Sequence, residues 1–202
     1  MKKIVLICSH EYSGSTALYE AMNGHTRIQG YKVKNKYESP LNFYFLCKNP
    51  HKLTNKSAIF MDELFYNFQI STKAAYDYCR FIYVVRQPES VLGFMIANQT
   101  RKPSFAIRRY KYRLRRLYEM SKRTSGGILL TYDNLLEGRG TDLIDSYLGL
   151  KQPIVFNPSL LMPYKLQYNT DQIAPTVMDE LRESYERYLY LMRQNLVWVN
   201  SL

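Results

Sequence analysis

The residues Ser9-His10-Glu11-Tyr12-Ser13-Gly14-Ser15-Thr16 set small hydroxyl side chains around a single glycine, directly after the apolar run Ile4 to Cys8. Beyond them Leu18, Ala21 and Met22 recur at helical spacing from Thr16 to Met22, and Asn23-Gly24 is a stop signal. A strand that turns tightly into a helix presents unpaired backbone N–H groups at the positive end of the helix dipole, and phosphate or sulfate is the natural guest there. A Walker A loop needs G-x-x-x-x-G-K-[ST]. Here Ser9 stands at the first glycine position and Ser15 at the lysine position, so the loop is P-loop-like without the lysine of an ATPase or kinase. A purely local alternative is that Ser13 caps the helix.

A second place for chemistry is Phe81-Ile82-Tyr83-Val84-Val85-Arg86-Gln87-Pro88, where an arginine stands between a buried strand and a proline-started helix. Its guanidinium can offer a planar fork to a phosphate.

The elements that must position these residues alternate. Lys3 to Cys8, Ala58 to Met61, Arg80 to Val85 and Ile128 to Tyr132 read as strands; Thr16 to Met22, Pro88 to about Asn98, Pro103 to about Lys122 and Pro175 to Leu196 read as helices. The stretch 151–171, with Pro153, Pro158 and Pro163, reads as irregular. Such alternation predicts an α/β single domain over residues 1–202: a mostly parallel central sheet flanked by helices, with ligands outside the carboxyl ends of the strands. The turns after Cys8 and Val85 are therefore the expected site.

Composition narrows the classes. The chain has 202 residues, and 28 Lys+Arg against 17 Asp+Glu give a formal net charge of +11, which favours acidic ligands. The opening Met-Lys-Lys and its short apolar run end too early for a secretory h-region, and no stretch is apolar for the roughly 18 residues of a membrane span, so a cytoplasmic protein is expected. Cys8, Cys47 and Cys79 lack metal or redox spacing and are expected as buried free thiols. The basic stretch from Arg108 to Arg123, interleaved with Tyr110, Tyr112 and Tyr118, reads first as a solvated helix with its apolar seam on Ile107, Tyr110, Leu114 and Leu117. A phosphate, sulfated-acceptor or nucleic-acid contact is its alternative, and no recognised nucleic-acid motif supports the last.

Taken in order, Tyr12-Ser13-Gly14-Ser15-Thr16-Ala17-Leu18, His25-Thr26-Arg27-Ile28, the run Phe81 to Val91 with Arg86 and Pro88, and Thr131-Tyr132-Asp133-Asn134-Leu135-Leu136 resemble four landmarks of the sulfotransferases that use 3′-phosphoadenosine 5′-phosphosulfate (PAPS). The resemblance implies a P-loop-like three-layer α/β fold, PAPS as cofactor with PAP as product, no metal, and transfer of a sulfuryl group to a hydroxyl or amine. The acceptor would be a carbohydrate, small molecule or peptide, bound by variable loops such as 34–57 and 151–171, and the oligomeric state is left open. Ser13, Gly14, Ser15 and Thr16 would hold the 5′-phosphosulfate, and Arg86 the 3′-phosphate. The family's partner serine falls at Phe94 here, so Ser90, one turn earlier, is the nearest substitute.

At Tyr12 most relatives carry Lys or Arg against the leaving oxygen; tyrosine can only donate a hydrogen bond there, and the cation would come from His10, a lysine of the Tyr31 to Lys36 stretch, or Lys165. Glu38 is expected as the base that takes the acceptor's proton, with His10, Glu11, Asp62 and Glu63 as further candidates. A P-loop nucleoside or nucleotide phosphotransferase, or a catalytically impaired PAPS/PAP-binding protein, are the competing readings.

Overall fold

A computed structural model describes residues 3–30, 40–53, 56–61, 79–99, 102–124, 126–164 and 170–198. The strands are β1 (Ile4–Ser9), β2 (Ile28–Gly30), β3 (Ser57–Met61), β4 (Cys79–Val85), β5 (Ile128–Thr131) and β6 (Val197–Trp198). The helices are α1 (Ser15–Asn23), α2 (Pro40–Lys48), α3 (Pro88–Gln99), α4 (Pro103–Ser121), α5 (Tyr132–Leu136), α6 (Thr141–Leu148) and α7 (Pro175–Arg193). All the strands pair in parallel in the order β2-β3-β1-β4-β5-β6, one domain with a wholly parallel sheet.

Burial on both sheet faces explains why β1 and β4 read as continuous apolar runs rather than alternating ones. Along β1 the side chains still alternate between two separate layers. Ile4, Leu6 and Cys8 join the core under α2, α3, α4 and α7, whereas Val5 and Ile7 join the core under α1, α5 and α6. The sheet is thus the middle of three layers. Cys8, Cys47 and Cys79 are buried free thiols, as expected, and burial pushes the Cys47 thiol up to about 12.

Most expected boundaries shift by a residue, and two of the differences have a clear cause. The strand expected to reach Tyr132 ends at Thr131, because Thr131 Oγ1 accepts from the Asn134 amide at 3.2 Å while Asn134 Oδ1 accepts from the Thr131 amide at 2.9 Å. This capping box starts α5 at Tyr132. The terminal helix stops at Arg193 rather than Leu196, and the chain runs on into the edge strand β6, whose Val197 amide donates to the Gly127 carbonyl at 2.9 Å. His25 packs rather than facing a ligand, its ring meeting the Gln152 carbonyl and the Arg27 amide, each at 3.1 Å.

The chain leaves β1 toward β2 and β3, then crosses to β4, β5 and β6 on the other side. The ends of β1 and β4 therefore flank the topological switch point, where open α/β sheets leave a crevice for ligands. Ser9 pairs with Val84, which brings the glycine-containing loop and Arg86 side by side.

Candidate anion site at the sheet switch point

The loop from Ser9 to Gly14 bends through two left-handed residues, Tyr12 at φ 60° and Gly14 at φ 89°. Gly14 is the N-cap of α1 and no side chain among the described residues caps this helix, so the local alternative of a Ser13 cap is not what forms. Ser13 is wholly buried, and its Oγ has no hydrogen-bond partner among the described residues. A Cβ on Gly14 would meet Leu161 Cδ2 at 3.0 Å and Tyr132 Cδ2 at 3.2 Å, so any other residue here is crowded by side chains as well as strained by φ. In front of the helix lies an open cleft of about 460 Å³, lined by Glu11, Tyr12, Gly14, Ser15, Thr16, Ala17, Glu20, Leu160 and Leu161.

Consecutive loop residues are held by Arg86, directly after β4, and by two arginines of α4. Arg113 donates from Nη2 to the Ser9 carbonyl, the Arg86 amide donates to His10 Nε2 at 2.7 Å, Arg109 donates from Nη2 to Glu11 Oε1, and Arg86 Nη1 donates to the Tyr12 carbonyl at 3.0 Å. Arg86 is itself fixed: its guanidinium lies 3.6 Å from the centroid of the Tyr132 ring, and its carbonyl accepts from the Tyr110 hydroxyl at 3.0 Å. Tyr132 in turn donates to the Leu161 carbonyl at 2.9 Å. This network explains how a non-glycine residue keeps a left-handed conformation at position 12.

His10 is 1% exposed and neutral. Burial, with Arg113 and Arg86 nearby, lowers its pKa to about 4, against the opposing effect of its backbone hydrogen bonds. Accepting from the Arg86 amide leaves Nε2 without a proton, so Nδ1 carries it and donates to the Glu11 carbonyl at 3.1 Å. With both nitrogens engaged away from solvent, the expectation of a catalytic base or cation at His10 gives way to a positioning role. Arg86 and the 13–16 segment come together as the spacing suggested, while Ser90 sits half-buried on α3. Glu38, Asp62, Glu63, the Tyr31 to Lys36 stretch and Lys165 lie outside the described residues.

Arg109, Arg113, Tyr110 and Tyr132 were not assigned to the site from sequence. The solvated-helix reading of α4 holds for its seam of Tyr110, Leu114 and Leu117 but fails for Arg113, which is 1% exposed. The available signal was spacing: Arg113 falls three residues after Tyr110 and four before Leu117, inside the apolar stripe.

No protein-family model and no curated protein sequence matches this chain. Solved structures do. A sulfotransferase from Alicyclobacillus acidocaldarius superposes with a TM-score of 0.57 at 12% identity, over 96% of this chain and 95% of that one. The sulfotransferase domain of the Synechococcus PCC 7002 olefin synthase gives 0.54 at 15% identity, over 96% and 95%. A mouse sulfotransferase complexed with PAP gives 0.54 at 11% identity, over 96% and 90%. The fold of this chain is the sulfotransferase fold.

Proposed function

We propose that this protein is a sulfotransferase that takes a sulfuryl group from PAPS and passes it to a hydroxyl or amine of a carbohydrate, small molecule or peptide. The observation that carries this reading is the meeting of an uncapped, glycine-turned helix N-terminus with Arg86 at the switch point of a sulfotransferase fold. The residues present suit the cofactor. An orphaned buried hydroxyl at Ser13, a left-handed glycine that lets the backbone come close, and the hydroxyls of Ser15 and Thr16 at the start of α1 make a donor set for a sulfated phosphate.

In this reading the α1 N-terminus with Ser13, Gly14, Ser15 and Thr16 holds the 5′-phosphosulfate. Arg86 pairs with the 3′-phosphate, its plane set by the Tyr132 ring, and Ser90 is the candidate second donor. When bound, PAPS supplies an activated sulfuryl group on a phosphate leaving group. The protein's own tasks would be to orient that group against the loop N–H donors, with Tyr12 as the side chain that could offer a hydrogen bond to the leaving group, and to take the acceptor's proton, for which Glu38 remains the proposed base. No divalent metal is assigned a part, and a cytoplasmic location is proposed.

The test is thermal. PAP at about 100 times its dissociation constant should stabilise the fold by roughly 2.7 kcal/mol, a rise of roughly 5 to 11 °C for a chain of this length. AMP and ATP, lacking the 3′-phosphate, should do much less, and equal shifts with PAP and AMP would remove Arg86 from the role. A phosphotransferase would instead prefer ATP and need Mg²⁺. The Tyr12 ring, packed on Phe94 where a cation is usual, favours a second reading in which PAP binds and transfer is slow; PAP stabilisation without turnover on any acceptor of the proposed classes would select it.

A further inference from the structure

Between Ser9 and Thr16 the loop contains no Lys or Arg, and its histidine is neutral. It does contain a carboxylate. Glu11 lines the same cleft as Gly14, Ser15 and Thr16, and an ionised carboxylate beside an anion-binding helix terminus opposes the guest that the terminus attracts. The opposing charge is met from another element: Arg109 of α4 donates to Glu11 Oε1 across 98 residues of sequence. The two side chains are only 28% and 18% exposed, so solvent screens them less than an open surface pair. One turn along the same helix Arg113 holds the Ser9 carbonyl, so α4 presents two cations to the loop.

We propose that Arg109 is a positioning residue that cancels the charge of Glu11 in the anion cleft, so that the carboxylate carried by the loop does not oppose the guest. The inference rests on the reading of this loop as an anion site. It assigns opposite signs to the two partners. Arg109 attracts the guest and Glu11 repels it, although each equally maintains the bond between them.

The full-length protein and its Glu11→Gln, Arg109→Gln, Arg109→Lys and Glu11→Gln/Arg109→Gln variants are titrated by calorimetry with PAP and, in parallel, with inorganic sulfate. Melting temperatures confirm that each variant is folded. Arg109→Gln should weaken binding roughly five- to tenfold, as expected for loss of one unit charge near a partly screened anion. Glu11→Gln should tighten it by a similar factor, Arg109→Lys should restore most of the loss, and the double variant should return close to the parent. Weakening in both single variants would mean that the pair is only a clamp on the loop, and would overturn the inference while leaving the cofactor reading intact. The opposite-sign pattern with sulfate but no PAP binding would uphold the pair and overturn the cofactor reading. Binding of neither probe to the parent would overturn both.

Discussion

The ring of Tyr12 packs on the ring of Phe94 with centroids 4.1 Å apart and planes tilted by 47°. These are two positions at which the chain departs from the sulfotransferase pattern it resembles, a cation being usual at the first and a serine at the second. The departures touch, joining the anion loop to α3 through an apolar contact where the pattern would place polar groups. Because Tyr12 is also left-handed, this contact and the Arg86 bond to its carbonyl hold the loop's bend together.

Phe94→Ala should therefore loosen the loop. Phe94 is half-buried, so the loss of its packing and of the aromatic pair should cost about 2 kcal/mol, read as a fall of roughly 4 to 8 °C in melting temperature. An unchanged melting temperature would show that the ring pair contributes nothing.

Arg86→Ala should weaken PAP binding by about 1.5 to 3 kcal/mol, the usual worth of a charge-assisted hydrogen bond. Arg86→Lys should recover little, since an ammonium cannot both lie flat on Tyr132 and reach the Tyr12 carbonyl. Calorimetry with PAP decides, and full recovery by lysine would mean that charge alone matters.

Gly14→Ala should cost about 1 to 3 kcal/mol through its left-handed backbone, beyond the contact with Leu161 at 3.0 Å. Adding Leu161→Ala should relieve the crowding but not the backbone strain. Denaturant melts of the single and double variants separate the two parts, and complete rescue by the second change would assign the whole cost to crowding.

His10 should make the protein acid-sensitive. Its folded pKa is about 4 against an ordinary value near 6.5, so the unfolded chain binds the extra proton first. The stability it contributes is present in full above about pH 6.5 and is lost as pH falls toward about 4, up to about 3 kcal/mol. His10→Gln can place its Oε1 where Nε2 accepts from the Arg86 amide and cannot titrate, so its stability should fall less steeply across that window. Parallel pH curves for the two proteins would refute the assignment.

Local chemistry in the sequence settled the large elements. The aromatic and β-branched run Phe81 to Val85 is the strongest strand signal in the chain, Pro88 and Pro103 open helices because a first turn needs no N–H from them, and the glycine between hydroxyls after β1 marks an anion turn. These signals lie within a few residues of one another, so they determined the α/β alternation, the two site-bearing turns and the choice of Arg86. Tertiary structure alone decided what supports them. Arg109 and Glu11 stand 98 residues apart and Arg113 and Ser9 stand 104 apart, and no local preference encodes a partner at that distance. Likewise the sequence offers His10 as a source of the cation and, after Glu38, as a candidate base. Only its burial between Arg86 and Glu11 settles it as a neutral hydrogen-bonding link, because the cost of charging an imidazole depends on what surrounds it in space.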